Sequence, residues 1–201
     1  MNTKKSVEEI VKHYDNADSF LSKHRDLDNE QIFKLKRFIH FLKGTRVIDA
    51  GSGSGKDSKF MKEHDLEVYS CDISERMIEE TRKYAETNVI RCDMRNLQFP
   101  DSFLDGVWCN SSLIHLKEQN QVIKEFKRVL GHRGTLYVCG HNALRRNHTN
   151  IYHPLSYHGI DMYPILLPNL VNVLENEGFE ILDKSSPFDK FAVCYARLAK
   201  Y

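Results

Sequence analysis

The sequence predicts an α/β fold in which a mostly parallel sheet is covered by helices on both faces. From about Thr45 to Gly140, short apolar runs alternate with segments whose apolar residues recur at helical spacing. Strands and helices that alternate in this way form parallel sheets, because each connection crosses back over a sheet face. The last two strand-like runs, Phe179–Asp183 and Phe191–Leu198, are joined by a loop too short for a helix. They are therefore predicted to pair antiparallel.

Two helices are predicted before the first strand. In Ser6–Tyr14 the apolar residues fall on one face, and Ser6 and Glu9 have the spacing of a capping box. The second helix, Glu30–Leu42, has an apolar stripe and ends before Gly44. We interpret residues 1–43 as an N-terminal helical cap and residues 44–201 as the core.

The core elements follow in order. Strands are predicted at Thr45–Ala50, Glu67–Cys71, Asn88–Cys92, Leu104–Cys109 and Gly134–Gly140, and helices at Lys56–His64, Ser74–Ala85, Glu118–Leu130 and Asn169–Glu177. Ser74 is predicted to be an N-cap, and Gly131 and Gly178 to end helices. Residues 141–168 are irregular and rich in His, Tyr and Pro, so we interpret them as a lid insertion.

The composition indicates one globular domain spanning residues 1–201. Hydrophobic residues make up 41% of the chain and charged residues 28%. The net charge of +1 argues against a protein that binds nucleic acid by bulk attraction to phosphates. No apolar run approaches the roughly 20 residues that cross a membrane. Met1–Ile10 lacks the apolar core of a signal peptide, so we expect a cytoplasmic protein.

The chain has five cysteines in apolar, strand-like runs: Cys71, Cys92, Cys109, Cys139 and Cys194. No pair has the C-x-x-C spacing of a metal or redox motif. We expect all five to be reduced and buried, and we predict no metal site.

A glycine-rich turn, Gly51-Ser52-Gly53-Ser54-Gly55, follows the first buried strand and opens a helix. Glycines let the backbone turn tightly and let a ligand lie against it. Asp72 and Asp93 end the next two strands, at the same sheet edge, where open parallel sheets bind their ligands. Asp72 also follows Gly51 by about 20 residues, the spacing at which a carboxylate meets ribose hydroxyls in dinucleotide folds. A helix cap for Asp72 and a loop acid for Asp93 are the structural alternatives.

Two kinds of ligand fit this pattern, a nicotinamide or flavin dinucleotide and S-adenosylmethionine. The dinucleotide loop is G-x-G-x-x-G, whereas here the third glycine comes one position early and Lys56 occupies the final position. Asp49 also lies just before the loop, where it would repel a pyrophosphate. A carboxylate there suits a ligand that carries an ammonium group, as S-adenosylmethionine does.

The combined motifs resemble the class I S-adenosylmethionine-dependent methyltransferases. The similar segments are Asp49–Gly55, Cys71–Ser74, Arg91–Met94, Phe99–Val107, Asn110–Leu116, Lys124–Leu130 and Gly134–Val138, and Gly55-Lys56-Asp57 is similar to a Gly-Arg-Asp variant of small-molecule members. The resemblance implies a Rossmann-like, seven-stranded sheet with an antiparallel last strand. After the fourth strand, Asn110-Ser111-Ser112-Leu113 departs from the Asn/Asp-Pro-Pro-aromatic motif of base-amine methyltransferases, so that substrate is not expected.

The resemblance also implies roles for individual residues. Asp49, Gly51, Gly53 and Asn110 would lie near the methionine portion, Asp72 would bind the ribose, Ile73 and Met94 would contact the adenine ring, and Asp93 would bind its amino group. Methyl transfer mainly requires that donor and acceptor be aligned, and a base is needed only for an acceptor that arrives protonated.

The candidate bases are His115 and His141, which follow the fourth and fifth strands. The candidate lid residues that contact substrate are Tyr14, Tyr152, His153 and Tyr157. We therefore predict methyl transfer to an O, N or S atom of a small molecule. The alternatives are an NAD(P)-dependent oxidoreductase and a non-catalytic S-adenosylmethionine-binding protein.

Overall fold

The computed structural model describes residues 3–16, 26–142, 155–157, 160–187 and 190–199. The helices in this part are α1 (Thr3–Asp15), α2 (Asn29–Phe41), α3 (Lys56–Lys62), α4 (Glu75–Ala85), α5 (Gln119–Val129) and α6 (Leu167–Asn176). The strands are β1 (Arg46–Ala50), β2 (Glu67–Asp72), β3 (Asn88–Arg91), β4 (Leu104–Asn110), β5 (Leu130–His141), β6 (Leu155–Tyr157), β7 (Ile160–Met162), β8 (Phe179–Ser185) and β9 (Phe191–Leu198). A short 3-10 helix spans Leu113–His115.

One seven-stranded sheet has the order β3–β2–β1–β4–β5–β9–β8. Neighbouring strands from β3 to β5 pair parallel, whereas β9 pairs antiparallel with both β5 and β8. The predicted α/β fold with an antiparallel last strand is confirmed. This order brings the carboxyl ends of β1 to β5 to one edge of the sheet.

The two sheet faces are buried under different helices. On one face Trp108 stacks on Tyr137 with ring centroids 3.7 Å apart, and Phe38 of α2 packs 5.2 Å from Trp108. On the other face, Phe126 of α5 and Leu174 of α6 belong to a second buried cluster. Burial of large apolar side chains on both faces is the main stabilising contribution to such a sheet. The helix α2 therefore packs on a sheet face, whereas α1 reaches the carboxyl edge of the strands.

The largest differences from the sequence prediction are at three places. Helix α1 begins at Thr3, so Ser6 lies within it and is not its cap. Strand β5 begins at Leu130, directly after α5, because Leu130 already pairs with Leu104 across an irregular register. Within the segment predicted as irregular, β6 and β7 form an antiparallel hairpin. The predicted N-cap is confirmed, because Ser74 Oγ accepts a hydrogen bond from Met77 N at 3.2 Å.

Two of the cysteines lie close together. Cys71 and Cys92 lie side by side where β2 and β3 end, with Cα atoms 5.7 Å apart, a separation that a disulfide can span. That this pair is reduced stays a prediction, and parallel pairing brings the two residues together although they are distant in sequence. Cys109, Cys139 and Cys194 are free and buried, as predicted. Within the described ranges, no helix has the length and apolar character to cross a bilayer.

Candidate functional site

A cavity of about 1170 Å³ lies at the carboxyl edge of the sheet, beneath α1. Its wall includes most of the residues that the sequence singled out: Tyr14, Gly51, Gly53, Asp72, Ile73, Asp93, Met94, Asn110, His115 and His141. In the sheet, β2 and β3 lie on one side of β1, and β4 and β5 lie on the other. The cavity therefore has two sides. We call the wall formed after β2 and β3 the β2–β3 side and the wall formed after β4 and β5 the β4–β5 side.

The glycine turn forms the wall between these two sides. Gly51, Gly53 and Gly55 all have positive φ, at 84°, 54° and 80°. The amides of Gly51 and Ser52 donate to the carbonyl of Cys71 at 2.8 and 2.9 Å, which ties the turn to the end of β2. A Cβ on Gly51 would collide with the side chain of Ser112. Glycine at this position therefore serves both the backbone conformation and the close packing of the turn.

Asp72 connects the glycine turn to helix α4. Its Oδ2 accepts from the backbone N of Gly53 at 3.0 Å, and its Oδ1 accepts from the backbone N of Ser74 at 3.0 Å. Burial raises the pKa of Asp72, and these backbone N–H groups partly offset the shift. Asp72 thus lines the cavity and supports the start of α4, which unites the two roles considered for it.

On the same side, Asp93 already holds a partner. Arg95 donates to both carboxylate oxygens, with the shortest contact, Nη2 to Oδ2, at 2.6 Å. Burial raises the pKa of Asp93, but the hydrogen bonds and charge of Arg95 outweigh it and leave the pKa lowered. Met94 and Ile73 add apolar surface to this wall. The carboxylate of Asp93 is therefore ionised and fixed in place.

Asp49 lies behind the wall of the cavity. It is only 2% exposed, its Oδ2 accepts from Ser58 Oγ at 2.6 Å, and it is not among the residues that line the cavity. Asp57, in the first turn of α3, does line it, next to Asn110. The sequence analysis placed Asp57 in a motif but assigned it no role.

The β4–β5 side combines imidazole, phenol and apolar groups. Tyr14 OH and His115 Nε2 are hydrogen-bonded at 2.8 Å, and His141 packs 5.0 Å from Phe191. Burial, with smaller effects from His13 and His141, lowers the pKa of His115 to about 4. His115 is therefore neutral at pH 7.

The described part of the predicted lid contributes two apolar residues, Ile160 and Met162 of β7. Tyr157 belongs to β6, whereas Tyr152 and His153 lie outside the described residues. Ile10 of α1 faces the same cavity. The sequence analysis missed Ile160 and Met162 because β7 is only three residues long and lies in a segment rich in His, Tyr and Pro.

A family model described as a methyltransferase domain matches residues 48–138, from the first strand of the sheet to the fifth. A solved geranyl diphosphate methyltransferase, in complex with GPP and sinefungin, superposes with a TM-score of 0.78 over 96% of this chain and 100% of that chain, at 12% identity. The matched residues contain the glycine turn and both strand-end acids. The matched domain and the methyltransferase relatives support a class I S-adenosylmethionine-dependent methyltransferase.

Other comparisons agree on the family. A demethylmenaquinone methyltransferase of Clavibacter sepedonicus is 25% identical over 89% of this chain and 72% of its own length. Seven further curated methyltransferases are matched over 37–59% of their lengths, so the chain spans about half the length of these relatives. The cyclase SpnF has the same fold, with a TM-score of 0.75, 17% identity and 97% coverage of both chains.

The wall of the cavity fits S-adenosylmethionine, the cofactor of this family. The glycines of the turn present bare backbone to the cavity, and Asp72 presents a carboxylate. Ile73 and Met94 present apolar surface beside it. Within the described residues, no group of three His, Cys, Asp or Glu side chains is placed to hold a metal ion.

Proposed function

We propose that this methyltransferase transfers the methyl group of S-adenosylmethionine to an O, N or S atom of a small-molecule acceptor. The observation that carries the proposal is the two-sided cavity, whose β4–β5 side offers further space lined by Tyr14, His115 and His141. The names of the relatives support a small acceptor, since they include methyltransferases of demethylmenaquinone and of 27-O-demethylrifamycin SV.

On the β2–β3 side, we assign the residues of the wall to the adenosine part of the cofactor. Asp72 would accept hydrogen bonds from the ribose hydroxyls, as its position at the end of β2 suggests. Ile73 and Met94 would contact the adenine ring, and Asp93, held by Arg95, would accept from its amino group. Because Arg95 already donates to both oxygens of Asp93, adenine would share this carboxylate with Arg95.

The bound cofactor supplies a methyl group that is already activated on a sulfonium, so the main task of the protein is alignment. For an acceptor that arrives protonated, His141 is the better placed base. His115 has a pKa of about 4 and is held by Tyr14, which suits it to positioning rather than to proton removal at neutral pH. The apolar Ile160 and Met162 would exclude water from the acceptor.

We propose one domain in which α1 and the segment 141–168 cover the core as cap and lid. The support is that α1 and β7 both line the cavity while α2 packs on the sheet face. Tyr157, Tyr152 and His153 stay candidate lid residues within that segment.

A second reading is a protein that binds the cofactor without transferring its methyl group. It is favoured by one observation, the likeness to the cyclase SpnF, which shows that this fold also occurs in a protein named for another reaction. The match to a methyltransferase domain argues against the oxidoreductase alternative.

The test is a transfer assay with S-adenosylmethionine that carries a deuterated methyl group. The acceptors are a panel of quinols, phenols, alcohols, amines and thiols, and mass spectrometry detects the labelled product. His141→Ala should lower turnover of a hydroxyl acceptor by roughly 10²- to 10⁴-fold with cofactor affinity kept. His64→Ala, on the distant α3–β2 connection, is the matched control and should change neither quantity. Tight cofactor binding without labelled product for any acceptor would favour the non-transferring reading.

A further inference from the structure

The two oxygens of the buried Asp57 carboxylate differ in their hydrogen bonding. Oδ2 accepts three hydrogen bonds, from Gln31 Nε2 at 2.8 Å, Trp108 Nε1 at 2.9 Å and Asn110 Nδ2 at 3.1 Å. Oδ1 is shielded from solvent and has no hydrogen-bond partner among the described residues. Since Asp57 is 6% exposed, its Oδ1 is a buried acceptor that the described part of the chain leaves unsatisfied.

The corner around Asp57 is electronegative. The charge of Asp57 raises the pKa of Asp49, second only to the burial of Asp49 itself. Burial also raises the pKa of Asp57, and its hydrogen bonds and the charge of Lys56 act in the opposite direction. In the part of the chain that the structure describes, neither carboxylate forms an ion pair. Two buried acids with this arrangement favour a cationic ligand.

Only one of the two acids is on the cavity wall. Asp57 lines the cavity with Asn110, Gly53 and Lys56, whereas Asp49 is behind the wall and is held by Ser58. S-adenosylmethionine carries an ammonium group on its methionine portion, and this group needs an anionic partner when it leaves water. The sequence resemblance implies that Asp49 lies near the methionine portion, whereas the cavity wall contains Asp57 and not Asp49.

We propose that Asp57, and not Asp49, pairs with the α-ammonium group of the bound cofactor. Gln31 and Trp108 are positioning residues in this arrangement, because they hold Oδ2 from α2 and β4 and leave Oδ1 without a hydrogen-bond partner among the described residues. The inference rests on the cofactor of the family and is independent of the identity of the acceptor.

The test compares two ligands that differ only in the ammonium group. S-adenosylhomocysteine has it, and the deaminated analogue 4-(5′-adenosylthio)butanoate does not. Calorimetry gives the Kd of each ligand for the wild type, Asp57→Asn and Asp49→Asn. The ratio of the two Kd values is the preference for the ammonium group, and binding of the analogue reports that the variant is folded.

The wild type should prefer S-adenosylhomocysteine, and Asp57→Asn should reduce that preference by about 10- to 100-fold, the range of a charge-assisted hydrogen bond. Asp49→Asn should keep the preference within about threefold. Loss of preference in Asp49→Asn, or its retention in Asp57→Asn, would overturn the inference. If Asp57→Asn does not fold, Asp49→Asn is the remaining test. Loss of the preference in that variant overturns the inference, and its retention supports it. Failure of the wild type to bind either ligand would overturn the cofactor assignment as well.

Discussion

The phenol oxygen of Tyr14 lies 2.8 Å from Nε2 of His115, so the first helix is bonded to the turn that follows β4. A second attachment is close by, because Asp15 Oδ1 accepts from Ser74 Oγ at 2.6 Å. Together these contacts hold α1 over the cavity and connect it to both sides of the sheet edge. Access to the cavity is therefore coupled to the docking of α1.

Replacing Tyr14 with Phe should loosen that docking without changing the shape of the helix. The variant loses one hydrogen bond and leaves a buried imidazole nitrogen without its partner, a cost of about 1–3 kcal/mol. Amide hydrogen exchange of Val7–Tyr14 should therefore accelerate by about tenfold or more. Glu8→Ala, on the exposed face of α1, is the control and should not accelerate it. Unchanged exchange in Tyr14→Phe would show that α1 is held by other contacts.

His115 should make stability depend on pH in the acidic range. Its pKa is lowered to about 4 in the folded state from the ordinary 6.5, so the unfolded chain binds a proton first as the pH falls. The contribution of neutral His115 is present above pH 6.5 and is lost as the pH falls toward 4. Between pH 7 and pH 5 this amounts to about 2 kcal/mol.

The measurement for His115 is urea unfolding of the wild type and His115→Gln at both pH values. The difference in unfolding free energy between the two proteins isolates the effect of His115. The buried acids Asp49, Asp57 and Asp72 have raised pKa values, which make stability change with pH in the opposite direction. A difference that does not change with pH would contradict the burial of a neutral imidazole.

Two glycines with similar backbone angles should respond differently to alanine. Gly51 and Gly178 have φ of 84° and 88°, but a Cβ at Gly51 meets Ser112, whereas no atom lies within 4 Å at Gly178. Gly178→Ala should cost about 1–2 kcal/mol for the left-handed conformation alone. Gly51→Ala should cost clearly more, and Ser112→Gly in the same chain should recover part of the difference. Equal costs in denaturant unfolding would contradict the close contact.

The sequence predicted which residues meet at the carboxyl edge of the sheet, because the signals for them are local. The glycine turn, the acids that end β2 and β3 and the N-cap at Ser74 each depend on residues adjacent in the chain, and the structure brings them together. Strand β9 was predicted at Phe191–Leu198, as found, because its apolar run is continuous.

The features that the sequence did not predict depend on packing between distant segments. Asp57 acquires its environment from Gln31, Trp108 and Asn110, which come from three other places in the chain. The proximity of Cys71 to Cys92 depends on the register of two parallel strands. Neither relationship leaves a periodic or spacing signal, so only the folded arrangement reveals it.

The most direct test of the central claim, cofactor binding in this cavity, is calorimetric titration with S-adenosylmethionine. NADH is titrated in parallel, and Asp72→Ala serves as the variant because Asp72 is on the wall and is the proposed partner of the ribose hydroxyls. Micromolar binding of S-adenosylmethionine, weakened at least tenfold in the variant and absent for NADH, is the predicted result. Binding of NADH alone, or S-adenosylmethionine binding that is unaffected by Asp72→Ala, would contradict the account.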